Sequence, residues 1–278
     1  MGITAESFGF LRYCRSSGAD FESTCQIGRQ NVFFSSKECG IKHGDFAEPL
    51  FRSLGAKSVE SMDYSDYEGA GIIHDMNLPI PEDMKERFSA VIESGTLEHV
   101  FNYPVAIKNC MQMVKPGGYL IIITPSNNWF GHGFYQFSPE LFYTLLNEQN
   151  GFAETQVLTQ DDSSRWYKIR EPREVKGRVD VCCAKNTLCS LYVVSKKNRT
   201  TPENLAVFQS DYVETWKDTE RKPELSGGMK SAVKRFIRKI VPVRAFDCLN
   251  DIRKSMRGEG KKVKTAGKAR FYEKIRLS

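Results

Sequence analysis

The stretch Phe88 to Phe152 reads FSAVIESGTLEHVFNYPVAIKNCMQMVKPGGYLIIITPSNNWFGHGFYQFSPELFYTLLNEQNGF, and its reading decides the fold. Phe88–Glu93 and Tyr119–Thr124 are near-continuous apolar runs, as expected of strands buried on both faces of a parallel sheet. Between them, Val105–Val114 carries apolar residues at 106, 107, 110, 111 and 114, a helical period. Lys115-Pro116-Gly117-Gly118 reads as a tight turn into the second strand, which ends in Pro125. Pro139–Asn147 reads as a further helix, with Ser138 as N-cap and Pro139 at its first position.

Outward from this stretch the alternation continues. Met1–Asp20 carries Phe8, Leu11 and Tyr13 at near-helical spacing and reads as a short helix. Ser23–Gly28, Ser58–Met62 and Gly71–His74 read as strands, and Phe33–Gly44 as loop. Asp45–Leu54 reads as a helix weakened by Pro49. Gln156–Thr159 and Ser190–Ser195 read as a closing antiparallel pair around a polar insertion or lid, Asp161–Lys185. Strands that alternate with helices define βαβ units, hence a doubly wound, mostly parallel α/β sheet.

The order and spacing of Leu97-Glu98-His99-Val100, the Lys-Pro-Gly-Gly turn, the strand ending in Pro125 and Asn150-Gly151-Phe152 resemble class I S-adenosylmethionine-dependent methyltransferases of the type 11-like kind. The resemblance spans Ser23 to Ser195. It implies a seven-stranded Rossmann-like sheet with the last strand antiparallel, S-adenosyl-L-methionine as cofactor, and a methyl acceptor that is a small molecule, sugar or lipid sooner than nucleic acid.

In a doubly wound sheet, ligands lie at the carboxyl ends of the strands. The resemblance therefore puts cofactor contacts at Gln26 and Gly28 after the first strand, Asp63 after the second, Asp75 and Met76 after the third, and Glu93 and Ser94 after the fourth. Asp63 has the chemistry to accept from a ribose diol. Asp75 equally suits an Asx-type turn, with Met76 in the core.

The first motif departs from the family form D/E-x-G-x-G-x-G. Gln26 replaces the acid, and Gln30 and Val32 replace the second and third glycines. Gln26 could still accept from the cofactor's ammonium through its amide oxygen. The alternative is a catalytically silent methyltransferase fold kept as a binding or scaffold module. The aromatic segment Trp129–Ser138 follows the fifth strand, where such folds build the acceptor pocket. His132 and Tyr135 are its candidates for orienting or deprotonating the acceptor, with His99 a further candidate base. The competing reading packs the aromatics on the sheet edge and hydrogen-bonds His99 within its loop.

Composition excludes several classes. No apolar run approaches the roughly 20 residues needed to span a bilayer. The N-terminus lacks a basic stretch followed by an apolar one, so no secretory signal is expected. The eight cysteines form no C-x-x-C pair and fit a reducing, cytoplasmic setting. No G-x-G-x-x-G follows the first strand, which argues against a dinucleotide oxidoreductase. The four histidines lack H-x-x-x-H spacing, so no metal is expected.

The net charge of +6 is uneven. Residues 228–278 hold 16 Lys and Arg against 4 Asp and Glu, a net +12, which leaves −6 on the first 227. The expected organisation is a methyltransferase-like domain over 1–216, a linker over 217–228 rich in Lys, Glu, Pro and Gly, and a basic tail over 229–278. Met229–Val241 and the region of Phe246–Met256 read as amphipathic helices, and the Gly/Lys-rich run to Lys268 as disordered. Such a tail suits an anionic membrane surface or polyanion, with peripheral attachment to a membrane, or else docks its apolar faces on the core.

Overall fold

The computed structural model describes residues 2–161, 163–175, 187–210, 212–213 and 272–277. The elements in chain order are β1 (Gly2–Ile3), α1 (Ala5–Ser16), β2 (Ser23–Ile27), β3 (Asn31–Val32), α2 (Glu48–Ser53), β4 (Ser58–Asp63), β5 (Ile72–Ile73), β6 (Phe88–Ser94), α3 (Tyr103–Met113), β7 (Val114–Pro125), α4 (Pro139–Leu145), β8 (Phe152–Gln160), β9 (Trp166–Ile169), α5 (Pro172–Val175), β10 (Ser190–Lys197) and β11 (Tyr272–Lys274).

The main sheet has the order β11-β9-β8-β10-β7-β6-β2-β4-β5. Strands β5, β4, β2, β6 and β7 run parallel, and β10 lies antiparallel between β7 and β8. These seven strands are the expected methyltransferase sheet. Its central strands are buried on both sides: Val91, Leu120 and Ile122 join one core, while Ala90, Ile92, Ile121 and Ile123 join the other. The period of two along β6 and β7 thus serves two cores, which is why both strands read as unbroken apolar runs.

The structure corrects several expected boundaries. Helix α2 starts at Glu48, so Pro49 falls in its first turn, where a missing N–H costs nothing. Strand β5 is only two residues long. The Lys-Pro-Gly-Gly segment is a bulge inside β7: Phe88 pairs with Val114 but Ala90 pairs with Tyr119. Ser138 takes the N-cap position of α4 without a side-chain cap bond. Part of the polar insertion becomes β9, which pairs antiparallel with β8 and extends the sheet. Tyr272–Lys274 in turn adds to β9, so the end of the tail joins the domain as strand. The linker at 217–228 and the amphipathic helices between 229 and 256 lie outside the described residues. No helix among the described residues is long and apolar enough to cross a membrane.

Two details hold the frame of the fold. Thr4 caps α1 by accepting from the Ser7 N–H at 3.2 Å. Lys197, fully buried, donates to the carbonyls of Val114 (2.7 Å) and Met111 (3.1 Å) and lies 3.3 Å from Glu86. Its ammonium thereby satisfies carbonyls at the end of α3, which no further helical turn reaches.

Candidate active site: a cofactor edge and an acceptor pocket

The loops after the parallel strands meet along one edge of the sheet. After β2, the backbone turns at Gly28, with φ 71°. A Cβ there would sit 2.6 Å from Thr96 Oγ1, so both the left-handed geometry and the close approach call for glycine. Gln26 is fully buried and turned inward: its Oε1 accepts from the Gln30 N–H at 3.1 Å and its Nε2 donates to Glu48 Oε1 at 3.3 Å. Glu48, on α2, also receives Arg29 Nε at 2.8 Å. A carboxylate from α2 therefore lies against the side chain that stands where the family form has its acid. Gln30, at the second glycine position, folds its Nε2 onto the Ile27 carbonyl at 2.8 Å. Its Oε1 is buried and has no hydrogen-bond partner among the described residues.

Asp63 ends β4 partly exposed and, among the described residues, is engaged only at Oδ1, by the Tyr64 N–H at 2.7 Å. Asp75 forms the Asx-type turn, accepting at Oδ1 from the Asn77 N–H (2.9 Å) and Nδ2 (2.8 Å). Those bonds, to the backbone first, hold its carboxyl below the usual range. Met76 is buried in the core. Asp63, Gly28 and Gln30 together fit the polar parts of S-adenosyl-L-methionine. A half-solvated carboxylate suits the ribose, a bare turn suits close approach, and the orphaned Gln30 oxygen suits the ammonium.

Glu93 ends β6 fully buried, and its Oε1 accepts from the Thr96 N–H (2.6 Å) and the Leu97 N–H (3.1 Å). Its carboxylate clamps the next loop and does not face the pocket. Burial first, then the charge of Glu98, pushes its pKa up to about 8. Ser94, next along, lines the pocket.

That pocket has a volume of about 290 Å³ and opens between α1 and the ends of β6, β7 and β10. Ser94, Thr124, Trp129, Tyr192 and Phe33 line it, and Glu98 with His132 forms its polar end. Glu98 is 1% exposed, and its Oε1 lies 3.3 Å from His132 Nε2 and 3.9 Å from His99 Nε2. The two imidazoles meet edge to face, 4.9 Å apart at 74°. Trp129 flanks His132 at 5.0 Å. Burial raises the Glu98 pKa, against its own backbone hydrogen bond and His132, and burial lowers that of His99.

The loop that carries His132 is fitted to Glu98. The Phe134 N–H donates to the Glu98 carbonyl at 2.7 Å. A Cβ on Gly133 (φ 69°) would lie 2.8 Å from that carbonyl oxygen. Gly133 is thus glycine for contact as well as for turning. Tyr135 is otherwise engaged: its hydroxyl donates to the Phe101 carbonyl at 2.6 Å and its ring packs by Tyr103 and Phe137.

Sequence reasoning paired neither His99 with His132 nor either of them with Glu98 as a site. The histidine spacing that argued against a metal centre looks only along one helix, and this cluster is assembled from two loops. Gln30 and Glu48 were missed as site residues for the same reason. The unusual Gln30 in place of a glycine was the one local signal.

A model of a methyltransferase domain matches residues 38–192, more than half of the chain. The match begins beyond β2 and the altered first loop. A ubiquinone biosynthesis O-methyltransferase of Bradyrhizobium diazoefficiens is 38% identical over 133 residues, 44% of this chain and 51% of that protein. The chain thus spans about half the length of the curated relative it matches. Among solved structures, the N-methyltransferase NodS of Bradyrhizobium japonicum with S-adenosyl-L-homocysteine is 16% identical, covering 70% of this chain and 89% of that one, with a TM-score of 0.40. A branched-chain polyamine synthase of Thermus thermophilus is 12% identical, covering 74% and 60%, with a TM-score of 0.41. The chain belongs to the class I S-adenosylmethionine-dependent methyltransferase family. S-adenosyl-L-methionine is the cofactor of that family.

Proposed function

We propose that this protein transfers the methyl group of S-adenosyl-L-methionine to a hydroxyl oxygen of a small, partly aromatic or apolar acceptor. The observation that carries the reading is the pocket at the ends of β6 and β7, with aromatic walls and one polar end at Glu98 and His132. The name of the O-methyltransferase relative agrees with an oxygen acceptor.

When bound, the cofactor supplies an electrophilic methyl on a sulfonium. Asp63 accepts from its ribose hydroxyls, the turn at Gly28 lets the backbone come close, and Gln30 Oε1 accepts from its ammonium. Ser94 lies where the cofactor edge meets the pocket. Trp129 and Tyr192 hold the acceptor's ring or chain against that junction and exclude water. In-line displacement needs this placement more than any other device. The polar end, Glu98 with His132 and His99, receives the acceptor hydroxyl and promotes loss of its proton, since a neutral hydroxyl is a poor nucleophile. Tyr135 acts by packing.

The test is calorimetric titration of the full chain with S-adenosyl-L-methionine and S-adenosyl-L-homocysteine. Methyl transfer from labelled cofactor to a panel of phenols, alcohols and amines follows. One-to-one binding and labelling of hydroxyl acceptors are expected. A folded sample that binds neither compound would overturn the reading and return the silent-module alternative.

A further inference from the structure

We infer that Glu98, His99 and His132 form a binding site for one divalent first-row transition ion at the polar end of the acceptor pocket. These side chains offer one carboxylate oxygen and two imidazole nitrogens that all lie within 4.8 Å of one another. Two of the three edges of the triangle are resolved: Glu98 Oε1 to His132 Nε2 is 3.3 Å, and Glu98 Oε1 to His99 Nε2 is 3.9 Å. Zinc binds nitrogen and oxygen at about 2.0–2.2 Å, so tetrahedral ligand atoms stand about 3.4 Å apart. One edge already has that length. The other needs a movement of about half an ångström by His99, whose side chain is 41% exposed.

A second observation points to a missing ligand. Glu98 Oε2 is buried without a hydrogen-bond partner among the described residues. A buried carboxylate oxygen with nothing to accept from is costly, and an ion at Oε1 removes that cost where the carboxylate holds it through both oxygens. Neither ring nitrogen of His99 makes a hydrogen bond among the described residues. The surroundings hold the site in shape: Glu93 clamps the loop before Glu98, Gly133 abuts the Glu98 carbonyl, and Trp129 packs on the His132 ring. Such supporting contacts are what fix ligand orientation in metal sites.

The donor set selects the ion. Two imidazoles with one carboxylate suit zinc, iron, cobalt or nickel, whereas magnesium and calcium favour all-oxygen sets. Three protein ligands leave a position open, as in catalytic sites, and Glu98 and His132 line the pocket itself. The open position would take the acceptor's hydroxyl oxygen, a role that rests on the proposed function. The ion lowers the pKa of the bound hydroxyl, and its proton passes to solvent. The oxygen–carbon bond then forms as the methyl carbon–sulfur bond breaks. That electron pair stays on sulfur and discharges the sulfonium. The substrate class narrows to acceptors with an accessible, ionisable hydroxyl, and amines are disfavoured.

The full chain, stripped with chelator, is titrated calorimetrically with Zn2+ alone. Co2+ absorption then identifies the ligands, since a thiolate set gives an intense charge-transfer band and this set does not. Expected are one equivalent bound, a cobalt spectrum without that band, and affinity lost at least about 100-fold in both His99→Ala and His132→Ala. Circular dichroism and melting of the metal-free variants should match the parent. No saturable binding, a thiolate spectrum, or full binding in both variants overturns the site. Methyl transfer undiminished in chelated protein overturns the metal's role and leaves the methyltransferase reading standing. Zinc binding in a protein that fails to bind S-adenosyl-L-methionine supports the site and refutes the methyltransferase reading instead.

Discussion

Glu93→Gln should remove a pH dependence of stability that the parent protein carries. Burial at the end of β6 pushes the Glu93 pKa up to about 8, against about 4.3 in an unfolded chain. Between those values the folded state holds a proton that the unfolded state has released. Stability from this group is therefore fully present below about pH 4.3 and is lost as pH rises through 8, by up to about 1.4 kcal/mol per unit. Glutamine is the neutral isostere. Its Oε1 can keep the bonds from the Thr96 and Leu97 N–H groups, so the loop clamp survives. Urea unfolding of both proteins at pH 5, 6, 7 and 8 reads the difference. The other titrating groups, His99 among them, are common to both proteins and largely cancel. From pH 5 to 7 the parent should lose about 1–2.5 kcal/mol relative to the variant, a range set below the full two-unit slope because Glu93 and Glu98 titrate as a pair. A difference constant to within about 0.5 kcal/mol across the series would refute the claim that Glu93 is protonated in the fold.

The remaining predictions concern the frame of the fold and the edges of the site. Lys197→Met should destabilise the domain by about 2–4 kcal/mol in urea, because the carbonyls of Met111 and Val114 lose their donor while Glu86 loses its counter-charge; a loss under about 1 kcal/mol would contradict the assigned role. Gly133→Ala should cost about 1–3 kcal/mol from the left-handed φ and the 2.8 Å contact with the Glu98 carbonyl, and should depress methyl transfer more than cofactor affinity; a parent-like melting temperature would show that the loop yields. Asp63→Ala should weaken S-adenosyl-L-methionine binding about tenfold or more by loss of the ribose acceptor, and unchanged calorimetric affinity would remove Asp63 from the cofactor edge.

Much of the fold could be read along the chain. Strands β6 and β7 declare themselves because burial on both faces erases the polar alternation that marks half-exposed strands. The βα alternation then leaves few ways to wind the sheet. Strand β9 was not legible, since Trp166–Ile169 is a short, mixed segment whose strand conformation comes from pairing with the open edge of β8. Nor was β11, which reaches that edge from the far end of a basic tail.

For the site, the chain alone determined where to look. Residues that follow parallel strands must gather at one edge, and Gln26, Gly28, Asp63, Asp75, Glu93, Ser94 and His132 all do so in sequence order. It also carried the altered first loop in plain view. What each side chain does at that edge was decided only by tertiary contact. Gln26 and Glu93 turn inward to hold loops, Asp75 closes a turn, and Met76 packs in the core. Glu98, His99 and His132 converge because β6 and β7 are hydrogen-bonded neighbours whose following loops leave the sheet side by side. A spacing rule reads neighbours along one element. Convergence across two loops is a property of strand pairing, and no local pattern of residues encodes it.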